Sequence, residues 1–492
     1  MLKVRRCAAF GPVVCFLTIL ACARENGQSS DPVATLTQPE RLAALDSVIP
    51  ALMDSGGVPG LSIAIVQDSA IVWSRGFGVR SAETGGTVDA NTVFEAASLS
   101  KPVFAFAVLQ LVDEGLLDLD RPLVEYWNYD YVPGDERYKQ ITARMALTHS
   151  TGFPNWRPRG GDLTIGFEPG ERFSYSGEGF GYLQLAVMDM TDQTLQEFVA
   201  ERVFAPLGMT SSSYTWDDRF ESNLAMPHDA NGEVSRKSKP RPGRGHAAAT
   251  LHTTANDFAR FLIALMNGTG LSDSMATAML TPQIEVDTGV AWGLGIGLQD
   301  NDIGRAAWHW GDNSGYKAYT FAYPDRKLGI IWFTNSDNGQ SILQAMLAET
   351  VGGEHPAVAW LDYEQYDSPK RPVREALQTT IEEQGVDSTI ALYHGLKASH
   401  PPEAFDEYLL NSLGYRLLGA DRVEEAIAIF ELNVEEYPDA WNPYDSLGEA
   451  YAEAGDLEKA IQYYEKSLEL NPDNTNGIAA LERLRAQRTR RQ

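Results

Sequence analysis

Ser98-Leu99-Ser100-Lys101 places two hydroxyls and one amine directly ahead of the apolar run PVFAFAVLQLV. A serine hydroxyl is a weak nucleophile until a base takes its proton, and a lysine serves as that base when desolvation or neighbours lower its pKa. If a helix begins near Ser98, then Ser98 and Lys101 stand three apart on one face and Ser100 points elsewhere. Pro102 supports that start, because proline is tolerated only within about the first helical turn. The free N–H groups and dipole of a helix start favour negative charge, which suits an oxyanion and an ionising serine alike. The same four residues also read as a plain N-cap, and by themselves they leave both readings open. His149, His246 and His252 read as loop or framework residues, since no pair has ligand spacing with a carboxylate partner. No metal and no cofactor is expected.

A nucleophile needs a scaffold. From Pro39, ERLAALDSVIPALMDSG has apolar residues at helical spacing, and LSIAIVQDSAIVWSRGFG holds two β-rich runs split by a polar turn at Asp68 and Ser69. A second β-rich block returns at AWGLGIGL (291–298), AAWHWGDNSGYKAYTFAYP (306–324) and LGIIWFTNS (328–336). Helical patterns such as TANDFARFLIALMNG lie between them. A sheet drawn from both ends of one domain, with helices inserted, predicts an α/β domain over residues 39–352 with a helical lobe and a cleft beside it.

The chain has 492 residues, 43% of them hydrophobic, enough for a large core and more than one domain. A formal charge of −27 argues against a nucleic-acid partner. Cys7, Cys15 and Cys22 all fall in residues 1–22, where Lys3, Arg5 and Arg6 precede FGPVVCFLTILA, the layout of a secretory signal. Ile19 to Cys22, ILAC, resembles a bacterial lipobox with Cys22 as the lipidated residue, whereas ACA (21–23) would equally serve as an ordinary cleavage site. The expectation is an exported envelope protein, periplasmic or anchored in the outer membrane, that meets a membrane only through that lipid. Residues 23–38 read as a flexible tether.

Past residue 370 the composition turns to Ala, Glu, Leu and Tyr at helical period. Leu413-Gly414 recurs as Leu447-Gly448, Ala426-Ile427 as Ala460-Ile461, Phe430 as Tyr464 and Pro438 as Pro472, always 34 residues apart. That period resembles the tetratricopeptide repeat. The expectation is a linker over 353–372, then an all-α repeat domain over 373–492 that offers a surface to a protein partner, its arginine-rich last helix serving as a cap.

The ordered motifs resemble the serine family of class C β-lactamases, penicillin-binding D-alanyl-D-alanine peptidases and related esterases. Its Ser-x-x-Lys motif matches Ser98 and Lys101; its Tyr-x-Asn motif matches Tyr175-Ser176-Gly177 after the Pro169-Gly170 turn; its Lys-Thr-Gly or His-x-Gly strand motif matches His309-Trp310-Gly311. The resemblance implies that Ser98 forms an acyl-enzyme, Lys101 is the base, Tyr175 relays protons and His309 completes the polar network. It also implies an oxyanion hole from the backbone N–H groups of Ser98 and Asp312, with Gly177 and Gly311 beside the substrate.

Gly177 stands where the family has asparagine, and glycine has no side chain to hold a substrate amide. His309 in place of lysine gives a poorer cation for a substrate carboxylate. Both departures point to esters or small peptides over β-lactams, and restoring Asn at 177 is expected to shift the preference back. The alternatives are a true β-lactamase or D-Ala-D-Ala peptidase, and a catalytically reduced scaffold that works through its repeats.

Overall fold

The computed structural model describes residues 36–129, 131–157, 161–235, 241–472 and 474–491. The lipidation candidate Cys22, the signal segment and most of the tether lie outside the described residues. Helix α1 (Pro39–Gly56) opens on proline and stops where Gly57 turns left-handed at φ 69°. Strand β1 (Gly60–Gln67) and strand β2 (Ala70–Ser81) then form a hairpin whose two turn residues, Asp68 and Ser69, both have positive φ. That is the turn whose twist matches the strands.

The sheet continues through β3 (Gly85–Thr87); β4 (Phe94–Glu95) and β5 (His252–Thr253) pair as a separate two-stranded sheet, and the late members of the main sheet are β6 (Ile284–Asp287), β7 (Val290–Trp292), β8 (Gly297–Asn301), β9 (Gly304–Asn313), β10 (Tyr316–Tyr323) and β11 (Leu328–Thr334). Their order is β3-β2-β1-β11-β10-β9-β8-β7-β6, antiparallel throughout. The two β-rich blocks meet at the β1–β11 pair, in register from Leu61 opposite Thr334 to Gln67 opposite Leu328. Alternate residues of β1 face two different cores. Ala64 and Val66 join the core containing helix α2 (Ser100–Asp113) and, across the helical lobe, α3 (Gly177–Thr191) and α4 (Ala255–Asn267); Ile63 and Ile65 join the core containing α1.

The repeats follow the 34-residue period. Helices Glu407–Leu418 and Val423–Glu436 are succeeded by Trp441–Glu453 and Leu457–Leu470, with Thr475–Arg491 after them. Gly414 packs so tightly that a Cβ there would lie 2.4 Å from the Phe430 ring, and Gly448 approaches Tyr464 in the same way. Helices Lys370–Glu383 and Val386–Ser399 share this core through Val373, Leu377, Ile381 and Tyr393. The stretch 353–372 is not a free linker. Its helix Pro356–Leu361 lies against the sheet, with Trp360 on Trp308, Trp310 and Phe173 at 5.8–5.9 Å between ring centres. Covering that indole surface with a large aromatic side chain is one of the contacts that hold the segment in place. Among the described residues, no helix is long and apolar enough to cross a membrane.

Candidate active site

Ser98 does not begin the α-helix. It sits in a 3₁₀ turn, Ala97–Leu99, and α2 starts at Ser100. The tighter turn eclipses positions three apart, which brings Ser98 and Lys101 together more directly than an α-turn would. Neither the 3₁₀ turn nor α2 has a side-chain cap, so Ser98 is not spent as an N-cap. Ala97 is held at φ 49°, a costly conformation for a residue with a Cβ, immediately before the hydroxyl. Of the quartet only Ser98 reaches solvent, partly; Leu99, Ser100 and Lys101 are fully buried. The Ser100 hydroxyl donates to Ala97 O (2.5 Å) and accepts from Leu251 N (3.0 Å), which makes it a structural strut.

Lys101 Nζ donates to Ala248 O at 2.9 Å and lies 3.2 Å from Ser98 Oγ. Burial brings its pKa down from 10.5 to about 7. The desolvating wall is aromatic: Nζ stands 4.7 Å from the Tyr175 ring centre and 5.8 Å from that of Phe180. These rings favour the charged form slightly through their faces, but loss of water outweighs that gain. The neutral amine that results has a lone pair within reach of the serine proton.

Tyr175 precedes α3. Its ring is partly exposed and its hydroxyl is fully buried, without a hydrogen bond of good geometry; burial raises its pKa and proximity to Ser98 opposes the rise. His309, on β9, is completely buried, its ring 6.2 Å from that of Tyr175. Burial first, and then the Lys101 charge, hold its pKa at about 3. His309 is therefore a neutral imidazole: Nδ1 faces Trp310 O at 2.8 Å and is assigned the proton, leaving Nε2 as an acceptor.

Strand β8 pairs with β9 only as far as Trp308, so β9 from His309 onward presents an open edge to the serine turn. Gly311 is glycine because a Cβ there would lie 2.5 Å from Ala96 O. Buried Gln340 donates to Gly311 O (3.1 Å) and Ala318 O (3.0 Å) and pins this end of the strand. The Asp312 carboxylate is paired with Lys317 at 2.9 Å, and Lys317 with Asp337.

The structure thus brings Ser98, Lys101, Tyr175, His309, Gly311 and Asp312 to one place. Gly177, expected beside the substrate, has its N–H engaged by Asn155 O and Asn155 Oδ1, both at 3.0 Å, and so offers no free donor to a substrate. The space where its side chain would go is filled, with the Trp156 ring 2.8 Å and Asn155 O 2.9 Å from a Cβ position.

Three neighbours escaped the sequence reading. His149, placed among the framework residues, lies 4.3 Å from the Tyr175 ring and its Nδ1 accepts from Ser176 N at 3.0 Å; burial and the Lys101 charge hold it neutral. Its φ of 55° is a signal only coordinates carry. His246 packs on Trp156 at 5.2 Å, and burial puts its pKa at about 4. Glu95, three residues before the serine, is buried and raised to about 7, and accepts from Asn313 at the end of β9. His252 remains framework, beside Thr250 O. Among the described residues no group of three or more His, Cys, Asp or Glu could hold a metal ion.

An antiparallel sheet with a helical lobe, and a serine–lysine–tyrosine cluster between them whose lysine is fully buried, define a β-lactamase-like serine hydrolase fold. The family model described as Beta-lactamase matches residues 45–349, and the chain belongs to that family; a tetratricopeptide repeat model matches 446–474. Penicillin-binding protein 4* of Bacillus subtilis (strain 168) is 24% identical over 362 residues, covering 65% of this chain and 77% of that protein. Protein flp of Staphylococcus aureus (strain MRSA252) is 24% identical over 213 residues, 40% of this chain and 43% of its own length, so the chain spans less than half of the first curated relatives it matches. Among solved structures, the octameric penicillin-binding protein homologue from Pyrococcus abyssi superposes with a TM-score of 0.54 at 24% identity, covering 68% of this chain and 81% of that one. The beta-lactamase/D-alanine carboxypeptidase from Pseudomonas syringae gives 0.54 at 20%, covering 62% and 98%. These structural likenesses establish the fold.

Proposed function

We propose that the protein hydrolyses esters or small amides through an acyl-enzyme at Ser98. The observation that carries this reading is a buried lysine with a pKa of about 7, 3.2 Å from a solvent-reaching serine hydroxyl. Ser98 Oγ attacks the substrate carbonyl as its proton passes to neutral Lys101. The oxyanion is held by the backbone N–H groups of Ser98 and Asp312. The tetrahedral intermediate collapses, and the leaving group takes a proton from the Tyr175 hydroxyl, which Lys101 replaces. Water enters by the reverse path and releases the acid.

Charge favours substrates without a carboxylate at the scissile end. Lys317 is shared by Asp312 and Asp337, Arg157 is committed to Glu178 in a bidentate pair, and His309 is neutral. A β-lactam or a peptide C-terminus finds no uncommitted cation among these groups and no amide at residue 177. Labelling with a fluorophosphonate, followed by parallel assays on short-chain esters, D-amino-acid peptides and penicillins, tests the reading. Absence of labelling at Ser98 refutes the hydrolase. Penicillin turnover above ester turnover moves the protein to the β-lactamase or peptidase reading, which the names of the relatives favour. Export with a lipid on Cys22, and a protein partner for residues 373–492, belong to the same proposal; mass spectrometry of the mature N-terminus tests the first.

A further inference from the structure

The residues matched by the family model end at 349, yet the chain returns to the site beyond them. Helix Pro356–Leu361 ends with Asp362 in the left-handed region at φ 51°, and that reversal aims Tyr363 back at the tip of β9. The Tyr363 hydroxyl donates to Asp312 Oδ2 at 2.6 Å. The other carboxylate oxygen of Asp312 is paired with Lys317. Both oxygens are thus engaged, one by the sheet and one by the extension. The Trp310 indole and the Tyr175 hydroxyl both lie near enough to interact electrostatically with it. Burial raises the pKa of the phenol, so it stays protonated and remains a donor.

The segment that carries Tyr363 is fastened on both sides. Upstream, Trp360 sits on Trp308, Trp310 and Phe173. Downstream, Gln365 Oε1 accepts from Gln344 N (3.2 Å), Tyr366 N donates to Ser341 O (3.0 Å), Glu364 pairs with Arg374, and Arg371 donates to Ser55 O (3.1 Å). Arg371 and Arg374 belong to the first helix of the extension, which is therefore bolted to the catalytic domain directly behind Tyr363.

We infer that Tyr363 is a positioning residue for the oxyanion strand, and that through it the helical extension completes the active site. It fixes the Asp312 side chain, and with it the orientation of the peptide N–H that faces the serine. This rests on the hydrolase reading above. A donor held a fraction of an ångström off the developing oxyanion loses strength in the transition state more than in substrate binding, so the loss belongs in kcat.

The test uses the full chain. Tyr363→Phe removes one oxygen and keeps the ring, and is expected to lower kcat on a short-chain ester, and the rate of fluorophosphonate labelling, by about tenfold, with KM within about twofold and the melting temperature close to that of the parent. In an Asp312→Ala background the same change is expected to add nothing, because the partner is gone. Equal kcat and labelling rate in Tyr363→Phe overturn the inference, as do an effect confined to KM and a loss that adds in full to Asp312→Ala. A parent protein that is never labelled at Ser98 overturns the hydrolase reading and this inference together, whereas a labelled parent with an unaffected variant overturns this inference alone.

Discussion

The shifted lysine makes a quantitative demand on the pH profile. At neutral pH an ordinary lysine is the free amine in roughly one molecule in 3,000, whereas one with a pKa of about 7 is free in about half. Burial therefore raises the supply of competent base by roughly 10³-fold, within the range of about 10²–10⁴ ascribed to general base catalysis. The kcat/KM for an ester is expected to rise tenfold per pH unit on the acid side, bend near pH 7 and then stay level. His309 at about 3, and Tyr175 above the usual phenol range, titrate elsewhere. Glu95 is the confounding group, since it also titrates at about 7. The profile is therefore measured in Glu95→Gln as well, where the bend is expected to remain, and in Lys101→Arg, which stays protonated and is expected to lose about 10²–10⁴-fold. A bend near pH 10, or one that disappears in Glu95→Gln, refutes the assignment of Lys101 as base. The same shift costs stability: between pH 7 and 10.5 the unfolded lysine holds a proton that the folded one has lost, so stability rises with pH across that window and the full penalty applies below it. At ~1.36 kcal/mol per pKa unit the penalty is on the order of 5 kcal/mol, and Lys101→Met is expected to give an inactive protein that is more stable in mildly acidic buffer.

Ser98→Ala should abolish covalent labelling with little change in melting temperature. Ser100→Ala should keep the label but lose about 1–3 kcal/mol by urea unfolding, because buried Leu251 N–H loses its acceptor; labelling lost in the second variant and kept in the first would reverse the assignment. Glu95 bears on stability with the opposite sign to Lys101: from pH 4.5 to about 7 the folded carboxyl keeps a proton the unfolded one has released, so stability should fall as pH rises through that window by about 3 kcal/mol, and Glu95→Gln should flatten the slope. Gly177→Asn should not gain penicillin hydrolysis and should lose about 1–3 kcal/mol, since its Cβ meets the Trp156 ring and the Asn155 carbonyl; a stable variant with a raised penicillin-to-ester ratio would show that Trp156 yields easily.

The parts of the structure legible in the sequence are those governed by local period or fixed spacing. Ser98 and Lys101 are near each other in any helical turn, the β1–β2 hairpin announces itself through Asp68-Ser69, and the repeats through Leu-Gly pairs 34 apart. What escaped depends on contacts that no local pattern encodes. The 3₁₀ turn at Ala97–Leu99 is imposed by packing against β9, where Gly311 makes room for Ala96 O. Gly177 looked like a missing asparagine; only the fold reveals that Trp156, 21 residues earlier, occupies the volume. Tyr363 reaches Asp312 from 51 residues away, out of a segment whose composition reads as linker.

One physical cause runs through the whole site. The aromatic wall of Tyr175, Phe180, Trp292, Trp308 and Trp310 excludes water, and the ionisable groups against it move toward their neutral forms: Lys101 down to about 7 and His309 down to about 3. Burial near Asn313, at the end of β9, moves Glu95 the same way, up to about 7. The serine and lysine at this spacing on an exposed helix would be an inert pair, because the amine would hold its proton through the entire neutral range. The chemistry therefore belongs to the burial as much as to the motif. Trp360 extends that wall from outside the family-matched residues, closing on Trp308 and Trp310 from the side of the extension. A chain cut before residue 353 would keep every residue of the three motifs and still lose part of the wall that tunes them.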